Sequence, residues 1–149
     1  KLFFIALALA FCSTASAQPY RSSLGVINNV GVNNYPGIGP SFKLFFTSKS
    51  AAEATLYFNK SGYHASLLYQ YHFPLDDKKN FYCYAGAGVY NIIFPRAVAG
   101  FEYKFANTPL VISTDWRPYY IYFSDDDIDP KEGLQQFGLS LRYILNKSR

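Results

Sequence analysis

The chain has 149 residues, with 14 lysines and arginines against 10 acidic residues and a formal net charge of +4. That length suits one domain, not two substantial ones, and so small and scattered a basic excess excludes a nucleic-acid-binding surface, which needs a clustered patch or stripe. The 14 tyrosines and 14 phenylalanines exceed what a small soluble core usually requires, whereas such rings suit broad β-surfaces and membrane interfaces.

At the N-terminal end Lys1 precedes an apolar run from Leu2 to Phe11, and Ala15-Ser16-Ala17 supplies small residues ahead of Gln18. This pattern predicts a cleavable secretory signal peptide over 1–17. The apolar run falls well short of the roughly 20 residues that cross a bilayer as a helix, and Phe11 ahead of Cys12 does not fit a lipoprotein site. Residues 18–149 are then the exported domain. Cys83 is its only cysteine, so no intramolecular disulfide is expected despite export to an oxidising compartment.

Alternation with a period of two runs through the remainder. Weak strands are expected over Ser22 to Asn28, Ile38 to Thr47 and Ala51 to Asn59, parted by turn residues at Asn28 to Pro36 and Thr47 to Ser50. After Lys60-Ser61-Gly62 the pattern sharpens: Tyr63, Ala65, Leu67, Tyr69, Tyr71 and Phe73 alternate with His64, Ser66, Leu68, Gln70 and His72. Beyond the turn Pro74 to Asn80, a strand over Phe81 to Asn91 carries Gly86 and Gly88 on its less apolar face and Cys83 on the other. A turn over Ile92 to Arg96 leads into Ala97 to Phe105, where Ala97, Ala99, Phe101, Tyr103 and Phe105 oppose Val98, Gly100, Glu102 and Lys104. Leu110 to Arg117 follows the turn Ala106 to Pro109. Phe137 to Leu145 follows the polar stretch Ser124 to Gly133.

The count is eight strands, several of the roughly 9 to 11 residues that a tilted strand needs to cross the hydrocarbon layer. No apolar run after the leader approaches 18 residues, so no helical span is expected. An even number of strands closes into an all-β, antiparallel, up-and-down transmembrane barrel. With both termini on the periplasmic side, the connections at Asn28 to Pro36 and Ser124 to Gly133 are external, the usual short-inside, long-outside asymmetry.

Alternation alone does not distinguish a membrane barrel from a soluble barrel or sandwich; the in-strand charges do. Lys43, Glu53, Glu102, Lys104, Asp115, Arg117 and Arg142 all fall on the face opposite the aromatic one. If that face lines a narrow eight-stranded interior, which side chains fill, the opposite charges must pair there. Tyr71, Tyr103, Trp116 and Tyr143 near strand ends are then interfacial girdle residues. The contrasting possibility is a secreted, soluble, lipocalin-like barrel that binds an apolar ligand, with its aromatic face inward.

Gln136, Gly138, Leu141 and Tyr143 match the spacing that resembles the C-terminal recognition signal of outer-membrane barrels, although the chain continues through Leu145 to Arg149. Longer phrases resemble small outer-membrane barrel proteins of Bacteroidota: Leu24-Gly25-Val26, Phe42-Lys43-Leu44-Phe45-Phe46, Leu68-Tyr69-Gln70-Tyr71-His72-Phe73-Pro74-Leu75, Tyr84-Ala85-Gly86-Ala87-Gly88, Gly100-Phe101-Glu102-Tyr103-Lys104-Phe105 and Asp115-Trp116-Arg117-Pro118. The resemblance implies an OmpA-like eight-stranded barrel and carries no catalytic residues across.

Candidate chemistry is sparse. His64 and Ser66 are similar to the His-x-Ser pair of outer-membrane lipid A deacylases, but they fall on the face read as interior and have no clear orienting acid. His64 and His72 are roughly 26 Å apart along one strand, at about 3.3 Å per residue, too far to share a metal. The run Asp125-Asp126-Asp127-Ile128-Asp129 lacks the glycine spacing and closing glutamate of a calcium loop and reads as a solvated external loop. Gly86 and Gly88 are followed by no helix and read as room for a bulky neighbour or a bend.

No catalytic residue, cofactor or metal is therefore expected. The expectation is a monomeric outer-membrane protein whose partners are membrane lipids and the barrel assembly machinery, with a structural or surface-recognition role and an external partner left open. A lipid A-modifying hydrolase and a narrow ion channel stand behind it.

Overall fold

The computed structural model describes residues 20–31, 37–60, 62–120 and 133–146. It consists of β1 (Ser22–Gly31), β2 (Gly37–Phe45), β3 (Ser50–Asn59), β4 (Gly62–Pro74), β5 (Phe81–Tyr90), β6 (Phe94–Lys104), β7 (Leu110–Trp116) and β8 (Gln136–Asn146). Each strand pairs antiparallel with the next, and β8 returns to β1 from Ser22↔Asn146 to Gly31↔Gln136, so the sheet closes on itself. The all-β, eight-stranded, up-and-down barrel expected from the alternation is the architecture observed. Closure satisfies the edge strands, which would otherwise present unpaired backbone groups. The leader expected over 1–17 and the acidic run at 125–129 lie outside the described residues.

The period of two becomes two wall surfaces of opposite character. Leu24, Val26, Leu67, Tyr69, Phe101, Tyr103, Leu139 and Leu141 are exposed on the outer wall, while their neighbours Ser23, Ile27, Leu68, Gln70, Glu102, Ser140 and Arg142 are buried. A soluble barrel that holds an apolar ligand needs the reverse arrangement. Only part of the interior is apolar. Tyr20, Phe45, Ala51, Val111 and Ile144 cluster toward the end where the termini lie, and Leu68, Tyr84 and Val98 form a second group. His72 fills the space between them, stacked on Tyr84 at 4.8 Å and tilted against Phe45 at 4.8 Å.

Connection lengths correct one expectation. Of the two connections expected to be long and external, the one between β1 and β2 spans only 32–36, comparable to those at the terminus end, and the two remaining ones at the far end, opposite the termini, are the tightest in the barrel. β3 turns into β4 across positions 60 and 61, and β5 into β6 across 91–93, where Asn91 and Ile92 both take positive φ. At the terminus end the connections span 46–49, 75–80 and 105–109. The long-outside asymmetry is therefore carried by the β7–β8 connection, 117–135. Its base is an extended hairpin, since Arg117 N–H donates to the Gln136 carbonyl and Tyr119 N–H to the Gly133 carbonyl.

Gly86 and Gly88 have a specific packing reason. A Cβ at either would lie 2.0 Å from a β4 carbonyl oxygen, that of Tyr69 or Leu67. The two glycines thus let β5 approach β4 closely rather than making room for a bulky side chain.

Candidate functional site

The interior charges come from strands that are distant in sequence and adjacent across the barrel. Register brings the first pair together, because Lys43 on β2 is the cross-strand partner of Glu53 on β3. Arg142 on β8 and Glu102 on β6 flank β7 through Val111↔Arg142 and Glu102↔Ser113. Lys43, Glu53, Glu102, Asp115, Arg117 and Arg142 are all buried, at 5% exposure or less, and they form one connected set of ion pairs.

Glu53 is the hub. Its carboxylate lies 2.6 Å from Arg117 Nη2, 2.9 Å from Arg142 Nη1 and 3.4 Å from Lys43 Nζ. Glu102 takes Lys43 Nζ at 2.7 Å and Arg142 Nη2 at 2.9 Å, and Asp115 pairs with Arg117. Polar neighbours add further hydrogen bonds: Tyr20 Oη donates to Glu102 at 2.9 Å, Gln70 Nε2 to Glu53 at 3.1 Å, Arg142 Nη2 to Ser113 at 2.8 Å, and Tyr84 Oη to Asp115. Lys43 Nζ also sits 4.5 Å from the centroid of the Tyr84 ring. Three cations face three carboxylates, so the set is neutral as a whole. That neutrality matters, because each ion costs several kcal/mol to desolvate and only close, well-bonded partners recover it.

Lys104 is the seventh charge placed on this face. It is half-buried at the terminus-end edge of β6, one rung beyond Glu102, and its backbone N–H donates to the Asn80 carbonyl. The four girdle candidates are all exposed on the outer wall. Tyr71, Tyr103 and Tyr143 lie in the terminus-end half, and Trp116 lies at the far end, where its indole Nε1–H donates to the Leu134 carbonyl at 2.6 Å. Phe58, Tyr63, Tyr120 and Phe137, also exposed, share the far-end rim with Trp116.

His64 and Ser66 do not meet as a nucleophile and base. His64 Nδ1 faces Asn91 Nδ2 at 3.0 Å and its ring stacks on Tyr90, while Ser66 Oγ has no hydrogen-bond partner. His72, further along β4, bonds Gln70 at 3.3 Å. Among the described residues no group of three or more His, Cys, Asp or Glu side chains is placed to hold a metal ion.

Arg96, which the sequence pattern assigns to the turn Ile92 to Arg96, belongs to the interior. It shares the even-numbered face of β6 with Val98, Gly100 and Glu102, so extending the alternation two residues back would have found it. Its guanidinium lies over the rings of Tyr90 at 4.5 Å, Tyr119 at 5.6 Å and Tyr57 at 5.8 Å, in the far-end mouth.

No family model and no curated protein matches the chain. Among solved structures, a chain from the de novo design of transmembrane β-barrels superposes with a TM-score of 0.64 at 13% identity, over 86% of this chain and 98% of that one. The fold is thus similar to that of a transmembrane β-barrel.

Proposed function

We propose that the chain is an integral outer-membrane protein: an OmpA-like barrel with a filled interior that serves a structural or surface-recognition role and catalyses no reaction. The polarity of the wall carries this reading. An apolar, ring-rich exterior around buried, mutually neutralised ions is stable where the surroundings are hydrocarbon and the ions need shelter, the reverse of what water selects. The signal-peptide pattern over 1–17, the C-terminal spacing at Gln136, Gly138, Leu141 and Tyr143, and the Bacteroidota-like phrases support the outer membrane as the location. The chain is then a monomer among lipids, inserted by the barrel assembly machinery.

Fractionation tests this directly. The protein should stay with membranes through carbonate and high-salt washes and leave only with detergent, and the folded form should migrate faster than the boiled form on a detergent gel. Release into detergent-free buffer as a dispersed monomer would overturn the reading.

The filled interior makes a second expectation. Ion pairs through the middle and the layer of Tyr20, Phe45, His72 and Tyr84 nearer the termini fill the described interior with side chains, as expected of eight strands. Purified barrels in planar bilayers should show no stepwise conductance; reproducible single-channel openings would instead favour the ion-path alternative.

A further inference from the structure

Arg96 is the odd ion of the interior. Lys43, Arg117 and Arg142 balance Glu53, Glu102 and Asp115, whereas Arg96, only 2% exposed, forms no ion pair with a carboxylate among the described residues. A second cation stands close to it, for Arg96 Nη1 and Arg117 Nη1 both donate to the Tyr57 hydroxyl, at 3.5 and 3.2 Å. The rings of Tyr57, Tyr90 and Tyr119 face the guanidinium and offset part of its charge, but rings do not accept its in-plane protons. Two donors remain, for Nε and Nη2 have no hydrogen-bond partner. These two N–H groups lie side by side along one edge of the guanidinium plane, the fork that takes two oxygens of a carboxylate, phosphate or sulfate at once. Buried polar groups are rarely left unmet, and here the unmet pair belongs to a positive charge with no carboxylate partner among the described residues, at the far-end rungs of β6.

We infer that the far-end mouth is an oxyanion site, in which Arg96 Nε–H and Nη2–H grip two oxygens of a phosphate-class anion and the Tyr57, Tyr90 and Tyr119 rings wall it. Arg117 adds positive potential, and the Tyr57 hydroxyl, which accepts from both arginines, keeps its own proton to donate. The site is a property of the closed interior, so it does not depend on what surrounds the outer wall. The oxyanion can be free in solution or carried on a lipid headgroup.

Calorimetric titration of the folded barrel in zwitterionic micelles with inorganic phosphate, against chloride at equal ionic strength, tests the site. A second arm compares nanodiscs of phosphatidylcholine with nanodiscs containing phosphatidylglycerol, and follows the Arg96 Nε–H resonance, identified by its loss in Arg96→Lys. Saturable phosphate binding that weakens about tenfold or more in Arg96→Gln, and by a smaller factor in Arg96→Lys, where charge persists without the fork, is the expected result. A response to inorganic phosphate assigns a free anion, and one to phosphatidylglycerol alone assigns a headgroup. Each variant is first shown to fold by heat-modifiable migration, and Arg96→Lys suffices if Arg96→Gln fails that check. No saturable heat and no resonance shift in either arm, or equal binding by the folded variant, would overturn the site.

Discussion

Replacing Glu53 by glutamine is expected to destabilise the barrel by roughly 3–5 kcal/mol, the usual cost of removing one partner from a buried ion pair. Glu53 is the residue through which the two halves of the charge set communicate, touching Arg117 at 2.6 Å, Arg142 at 2.9 Å and Lys43 at 3.4 Å. Without its charge, three buried cations face Glu102 and Asp115 alone, and Arg117 is left with Asp115 as its only carboxylate. The glutamine amide preserves shape and one acceptor, so the loss reports charge rather than a cavity. Urea unfolding of the refolded protein in detergent, followed by Trp116 emission and by gel mobility, measures the effect, with outer-wall Leu141→Val as the reference. Glu102→Gln and Arg142→Gln should rank between the two, because each loses fewer pairs than Glu53. A loss for Glu53→Gln no larger than that for Leu141→Val would mean that the interior charges are individually dispensable. Adding Lys43→Met to Glu53→Gln restores neutrality and should recover part of the loss, a coupling that independent sites would not show.

The fold was legible because a strand has one internal clock. Tyr63 to Phe73 and Phe137 to Leu145 alternate without error, and once one face is assigned, every residue on those strands has a side. What alternation does not encode is height and register. Nothing in the local sequence says that Lys43 meets Glu53 directly across a hairpin or that Arg142 reaches across β7 to Glu102. Tyrosine blurred the faces further. Tyr57, Tyr82 and Tyr84 are buried in the interior while Tyr63, Tyr69 and Tyr103 are exposed outside, so an aromatic ring alone does not mark the outer wall. The inward tyrosines carry hydroxyls that bond Arg117, the Lys79 carbonyl and Asp115, which is how a ring earns a place in a polar interior. Arg96 was obscured by Pro95, whose missing N–H reads as a turn signal; at the first rungs of β6 that residue is tolerated in the wall while Arg96 points inward.

The second large effect concerns the outer wall, and it decides what surrounds it. Leu141 sits at mid-height on β8, exposed, between Val26 of β1 and Ile112 of β7. If the wall faces acyl chains, Leu141→Arg places a guanidinium where water is absent and should cost about 2–4 kcal/mol. The same change at Leu145, exposed on the same face near the terminus end, should cost only about 0–1 kcal/mol, because a charge close to the interface can reach water. The two sites share one strand and one face and lie four residues apart, roughly 13 Å at about 3.3 Å per residue; Leu145 also sits at the β1–β8 register shift, where a long side chain has more room, so the difference in depth and the difference in packing both favour tolerance there. If water surrounds the barrel, both substitutions are surface changes within about 0.5 kcal/mol of neutral, and the gradient vanishes. Reversible unfolding from liposomes gives the comparison, and equal costs at Leu141 and Leu145 would remove the lipid from the argument. A gradient that appears in liposomes and collapses in detergent micelles, where the apolar layer is thinner and more deformable, would tie the stability of this barrel to the bilayer itself.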